Sequence, residues 1–345
     1  MIFKILIIVY PKIGGCQFYR QIHPHEVFSK YPELEICYKR DISFMAMENL
    51  TDYHLVLFHK NYVNTDILKR LKSLNIITMV DFDDYWRLPS NHLSYKHYKR
   101  TRQTEKFIEI LKQADYISTT TELLAQQIIP LNKKVYVFPN TLSDTNSNIY
   151  PVEIKSDKVR FGYIGGACHL PDIEILRGLN NKLGNSGLTY TLSLFGYKHD
   201  SIYFDYAKVL SDNGNYTKNL CLFPSLPVPE YLMYYNMIDA ALIPLKDNKF
   251  NSLKSELKLI ETGTFTKAAI VSDVLPYKPM LKDKTNCLVA KSRTDWFRQM
   301  KYVVKNPNCV EDLGHQLYQD IQIQFNHDKI TKYRAEVYKE IIQKG

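Results

Sequence analysis

Short apolar runs alternate with amphipathic stretches along almost the whole chain, the pattern of parallel strands separated by covering helices. In the first half, strands are predicted at 3–10, 34–38, 54–59 and 76–80. A further strand within 114–122 feeds a helix capped by threonine, and another follows at 134–140. From 141 to 156 the pattern dissolves into Ser, Asp, Asn and Pro, which reads as a linker. The alternation then restarts, with strands predicted at 159–164, 191–195, 220–223, 239–243, 268–272 and 287–290. Beyond Arg293 the periodicity is helical, with final helices expected at 311–325 and 329–344. The chain therefore divides into units at 1–150 and 151–310 and a helical tail at 311–345, which is expected to pack back across both.

The polar residues that interrupt this pattern carry the chemistry. After the predicted strand at 239–243, Asn251 or Ser252 can cap a helix beginning near Leu253. Lys254, Lys258 and Glu261 then share one helix face, and Leu253, Leu257 and Ile260 form its apolar neighbour. Two cations and a carboxylate beside a helix N-terminus suit a nucleoside diphosphate, the cations for phosphates and the carboxylate for ribose hydroxyls. An amphipathic surface helix with a Lys–Glu pair has the same spacing. Asp81, Asp83 and Asp84 follow the strand at 76–80, at the edge where open α/β sheets place ligands. The same acids also fit a helix cap or a cation, although nothing nearby in sequence completes a metal site. Both halves open on a strand followed by a glycine turn, Gly14-Gly15 and Gly165-Gly166, but neither turn has the dinucleotide spacing Gly-x-Gly-x-x-Gly. The second turn lets backbone approach a phosphate closely.

Composition narrows the classes. Hydrophobic residues make up 45% of the 345 positions, ample for two cores. No apolar run reaches the roughly 18 residues of a spanning helix, and the run at 2–10 is too short for a signal sequence. Six scattered cysteines without a Cys-x-x-Cys pair point to a reduced, cytoplasmic protein with no structural metal. The formal charge of +9 suits nucleic acid, an anionic membrane surface or phosphorylated substrates. No nucleic-acid motif accompanies it. The basic, aromatic run at 95–102 is either a solvated helix face or a contact for an anionic membrane or phosphorylated acceptor.

Several of these stretches resemble family 4 glycosyltransferases. Ala114-Asp-Tyr-Ile-Ser-Thr-Thr-Thr-Glu122 followed by Phe138-Pro139-Asn140 is similar to the run that closes their N-terminal domain. Phe161-Gly-Tyr-Ile-Gly-Gly166 with His169 and Asp172 resembles the opening of their C-terminal domain, and 237–261 resembles their donor site. The resemblance implies the GT-B fold: two Rossmann-like doubly wound domains facing a central cleft, the acceptor side first and the donor side second. It places Glu261 at the second position of a Glu-x7-Glu motif, whose glutamate binds ribose hydroxyls. The first glutamate would stand at 253, where this chain has Leu253. Its sugar contact then falls to Lys254, Ser255 or Glu256, or the loop is shifted in register. The diphosphate falls to Lys254, Lys258 and the Gly165-Gly166 turn, with His169 where the family has basic residues. Base contacts fall near Tyr197, Ser225 and Leu226. Gly14, Gly15, Tyr19 and Arg20 correspond to the loop over the cleft, and Asp83 and Asp84 lie near the family's acceptor-side histidine.

The expected activity is transfer of a sugar from a nucleotide-sugar co-substrate to a glycan, lipid-linked or protein acceptor. Retention of configuration without a metal or other cofactor is implied, with Asp83, Asp84 and Lys254 as catalytic candidates. Binding of a nucleotide or partner without turnover is the alternative, motivated by Leu253. A nucleotide-sugar epimerase would share the fold. An NAD-dependent oxidoreductase has least support, because both glycine turns lack its fingerprint.

Overall fold

The computed structural model describes residues 2–10, 13–42, 47–143, 152, 154, 156–198, 201–211 and 219–344. Most of the expected linker at 141–156, and Pro11 and Lys12 of the first turn, lie outside the described residues. The first sheet contains β1 (Phe3–Ile8), β2 (Leu34–Lys39), β3 (Leu55–His59), β4 (Ile77–Phe82), β5 (Tyr116–Thr119) and β6 (Val135–Val137). Its order is β2-β1-β3-β4-β5-β6, every pair parallel. The second contains β7 (Val159–Ile164), β8 (Tyr190–Tyr197), β9 (Leu220–Pro224), β10 (Ala240–Ile243), β11 (Ala268–Ser272) and β12 (Leu288–Ala290). Its order is β12-β11-β10-β7-β8-β9, again all parallel.

Burial explains the continuous apolar runs. β3 and β11 are buried at every position, as strands covered by helices on both faces must be. In each sheet the strand order reverses beside the first strand, between β1 and β3 and between β7 and β10. These switch points open crevices at the carboxyl ends of the strands, where such sheets bind ligands. Each is entered by a turn the sequence marks with glycine.

Two long helices finish the chain. The helix Cys309–Gln324 lays Leu313, Leu317 and Ile321 against the second domain. The helix His327–Lys344 returns to the first, where Ala335, Val337, Tyr338, Ile341 and Ile342 pack with Phe3, Ile5 and Ile7. No helix among the described residues is long and apolar enough to cross a membrane.

Two local expectations are corrected. β4 runs on to Phe82, so Asp81 lies within the sheet rather than in the loop after it. The helix expected from Leu253 begins at Leu257: Asn251–Leu253 make one 3-10 turn and Lys254 is extended. Neither proposed cap stands at its start, since Glu256 holds the N-cap position; Asn251 instead donates to Asp172 and the Lys246 carbonyl, and Ser252 to the Lys249 carbonyl. Lys254 therefore does not share a helix face with Lys258 and Glu261.

The helix Leu257–Thr264 is pinned from behind by the helix Cys309–Gln324 at glycines on both. A Cβ on Gly314 would lie 2.1 Å from the Thr266 carbonyl oxygen, a backbone atom that cannot rotate away. Gly314→Ala is expected to destabilise the protein by about 1–3 kcal/mol through overpacking. Urea denaturation measures this, with Gly166→Ala, where a Cβ meets open space, as the comparison.

Candidate active site between the two domains

A cavity of about 450 Å³ opens where the two switch points face one another. Gly15, Cys16 and Tyr19, following β1, and Asp83 and Asp84, following β4, form one wall. Gly165, Gly166 and His169, following β7, Ser225 and Leu226, following β9, and Lys254, Ser255, Lys258 and Glu261, following β10, form the other. Gly165 has a steric reason: a Cβ there would lie 2.5 Å from the Tyr163 hydroxyl.

Glu261 sits at the back of the cavity, fully buried. Its Oε1 accepts from the hydroxyls of Tyr19, at 2.7 Å, and Tyr231. Its Oε2 accepts from the Tyr235 hydroxyl at 2.7 Å and Lys258 Nζ at 2.6 Å. Burial alone would raise the carboxyl pKa, but Lys258 and the tyrosines hold it below the usual value. Tyr19 comes from the first domain, and its hydroxyl also lies 2.8 Å from that of Tyr231. The carboxylate expected to meet ribose hydroxyls therefore lies in the cavity wall with both oxygens already satisfied by protein donors. Lys258, expected at the diphosphate, is bound to Glu261 instead.

Arg20, expected at the cleft loop, has a structural role. Its Nε and Nη2 donate to Asp81, Nη2 also to the Thr119 carbonyl, and Nη1 to the Phe138 carbonyl and Asn140 Oδ1. Asp81 accepts a further bond from Ser118 at 2.6 Å. A guanidinium has five N–H donors, and here all are taken, so none remains for an acceptor. Asn140 continues the chain of contacts to the second domain, donating to Ser255 Oγ at 2.8 Å.

The two acidic catalytic candidates differ in their surroundings. Asp83 Oδ1 accepts from Lys60 Nζ at 2.6 Å and faces His59 Nε2 at 3.1 Å. His59 Nδ1 accepts from the Asn61 N–H, which puts the ring proton on Nε2, toward Asp83. Burial opposes ionisation of Asp83, yet Lys60 and His59 hold its pKa well below the ordinary carboxylate value. Asp84 is more open and lies 3.5 Å from Lys254 Nζ across the cleft. Cys16, His59 and Asp83 present ligand-type atoms within 4.8 Å of one another, but the Lys60 ammonium already supplies positive charge to the same carboxylate oxygen.

On the second-domain wall, His169 Nδ1 lies 2.9 Å from Asp172 Oδ2. Asp172 Oδ1 accepts from the Lys246 N–H and Asn251 Nδ2, both at 2.9 Å. The Tyr197 side chain packs against Tyr203 and Phe204 outside the cavity wall, while its carbonyl accepts from the Ser225 N–H at 3.1 Å. Gly14 stands at the N-cap of the turn that Gly15 begins. Leu253 is buried in the core cluster of the first domain, crossing the gap as an apolar plug. Sequence reasoning missed Tyr231, Tyr235, His59, Lys60, Cys16 and Cys168. Only His59 and Lys60 had a usable signal, since they close β3 beside the first switch point.

No protein-family model matches the sequence, and no curated protein matches it. Solved structures do. Sucrose-phosphate synthase from Thermosynechococcus elongatus superposes with a TM-score of 0.68 at 13% identity, covering 99% of this chain and 100% of that one. HepE of Anabaena, solved with UDP-glucose, gives 0.67 at 10% identity over 98% and 99%. A glycosyltransferase from Rickettsia africae gives 0.66 at 10% identity over the whole of both chains. The likeness establishes the GT-B fold over essentially the whole length.

Because Arg20 neutralises Asp81 inside the first domain, removing it strands a buried carboxylate. Arg20→Met should destabilise the protein by roughly 3–5 kcal/mol. Chemical denaturation reads this, and a loss under 1 kcal/mol would contradict the assigned role.

Proposed function

We propose that the protein transfers a sugar from a nucleotide-sugar, with UDP as the first nucleotide to test, to a glycan, lipid-linked or protein acceptor. The observation that carries this reading is the cavity itself. It lies at the facing switch points of two doubly wound domains and holds a buried carboxylate, cations and a glycine turn. Solved relatives of the fold include a complex with UDP-glucose. In this reading the ribose hydroxyls replace those of Tyr19 and Tyr231 on Glu261. Hydroxyl is exchanged for hydroxyl, so the buried carboxylate never loses its donors. The Gly165-Gly166 backbone, His169 and Lys254 face the diphosphate, where negative charge grows as the sugar leaves. Asp83 and Asp84 lie across the cavity on the acceptor side. The proposed reaction retains anomeric configuration and draws its charge stabilisation from side chains and backbone instead of a metal.

One observation favours a second reading, nucleotide binding without turnover. Leu253 stands where the resembling family has its sugar-contacting glutamate, and it is buried away from the cavity. Incubation with UDP-, GDP-, ADP- and CMP-sugars plus acceptor separates the two. Acceptor-dependent release of the free nucleotide, a diphosphate from the first three donors and CMP from the last, supports transfer, and binding without release supports the alternative.

Removing the carboxylate should cost the ribose contact in either case. Charge-assisted hydrogen bonds contribute about 1.5–3 kcal/mol, so Glu261→Gln and Glu261→Ala are expected to weaken UDP binding about 10- to 150-fold. Unchanged calorimetric affinity in both variants would remove Glu261 from the donor site.

A further inference from the structure

Three first-domain side chains reach across the cavity, and each lands on a residue of the opposite wall. The Tyr19 hydroxyl donates to Glu261 Oε1 at 2.7 Å, Asp84 Oδ1 lies 3.5 Å from Lys254 Nζ, and Asn140 donates to Ser255 Oγ at 2.8 Å. Among the described residues, Asp84 is the only carboxylate paired with Lys254. The first two contacts share a logic. A hydroxyl meets the buried carboxylate and an anionic oxygen meets the lysine, which are the two groups that a nucleotide presents through its ribose and its phosphates.

The hydroxyls around Glu261 are also crowded. Tyr231 donates to the same Oε1, and the Tyr19 and Tyr231 oxygens lie 2.8 Å apart. Each hydroxyl has one proton, so two protons serve three short oxygen–oxygen contacts and one contact has no hydrogen bond of its own. Burial beside Glu261 pushes both phenols well above their ordinary pKa, so both keep that single proton. The Tyr19 ring is packed with Phe18 in the core of the second domain, which holds the hydroxyl in place.

We propose that in the free protein the first domain occupies the donor site of the second, and that a nucleotide binds by displacing it. The ribose hydroxyls take the place of the Tyr19 hydroxyl on Glu261, and phosphate oxygens take the place of Asp84 on Lys254. This rests on the nucleotide-sugar reading above and adds regulation to that site. Because the occupants belong to the other domain, filling the site breaks the cross-domain contacts at Glu261 and Lys254. A binding-competent state held by only a fraction of the molecules lowers apparent affinity by that fraction. Weakening those contacts therefore strengthens nucleotide binding, and nucleotide weakens the contacts by the same factor.

Two other roles for Tyr19 lead to different results. A purely structural tyrosine leaves nucleotide affinity unaltered when its hydroxyl is removed. A tyrosine that stays to bond the nucleotide makes the affinity fall. Only an internal competitor makes it rise.

Calorimetric titration of the full-length protein with UDP tests this. Tyr19→Phe keeps the packed ring and removes only the competing hydroxyl, so UDP affinity should rise about threefold to tenfold. Asp84→Asn, on the more open side of the cleft, should raise it about twofold to fivefold. An analogue of UDP lacking both ribose hydroxyls brings no donor to Glu261, so Tyr19→Phe should improve its binding less than about twofold. The same variant should melt at a lower temperature than wild type when free, and saturating UDP should close the gap. If wild type binds UDP and Tyr19→Phe binds it equally or more weakly, the self-occupied site is overturned and the nucleotide reading stands. An equal gain for UDP and its hydroxyl-free analogue also overturns the exchange, since it reports a loosened interface. Should Tyr19→Phe fail to fold, Asp84→Asn decides, and unaltered affinity in that variant refutes the proposal. If neither wild type nor either variant binds UDP, GDP, ADP or CMP, the nucleotide reading falls and takes this one with it.

Discussion

A carboxylate with no exposure to water must have every hydrogen bond supplied by protein, and Glu261 sets that requirement at the centre of the molecule. Its donors come from three places in the chain: Tyr19 after β1, Tyr231 and Tyr235 before β10, and Lys258 on its own helix. The first of these belongs to the other domain. Satisfying one buried charge therefore fixes how the two sheets face one another, and it fixes the depth of the cavity between them. Any ligand that reaches this carboxylate has to bring its own donors.

The domains also exchange apolar residues around this point. Phe18 and Tyr19 are buried in the core of the second domain, and Leu253 in the core of the first. Each insertion is backed by polar contacts that hold it in place. Behind Tyr19, Arg20 is clamped by Asp81 and by the carbonyls that end β5 and follow β6, and Arg334 of the last helix donates to the Arg20 carbonyl. That helix thus braces, from the far side, the turn that reaches the buried carboxylate of Glu261. Its position explains why a chain that has already completed two domains returns to the first.

Two pairs of charges divide the cavity into halves of different character. On the first-domain wall, burial opposes ionisation of Asp83, but Lys60 and His59 hold its pKa well below the ordinary carboxylate value. On the second-domain wall, Asp172 accepts from the Lys246 N–H and Asn251 and pairs with His169.

The sequence by itself determined the architecture. Strands buried on both faces must read as short apolar runs, so each of the twelve observed strands left its mark, and the glycine turns after β1 and β7 marked both switch points. The Lys258–Glu261 pair was legible because its spacing within a helical stretch is local. What the sequence left undecided depends on contacts between distant residues. The pairing of Tyr19 with Glu261 joins positions 242 residues apart, and that of Arg20 with Asp81 positions 61 apart. No spacing rule records such distances. The start of the helix that carries Glu261 was misplaced for the same reason: Asn251, a good local cap, lies instead in a 3-10 turn whose amide donates to Asp172, a residue 79 positions away. Propensity is a property of neighbours in the chain, whereas hydrogen-bond satisfaction in a buried cleft is a property of neighbours in space, and only the tertiary structure could decide between them.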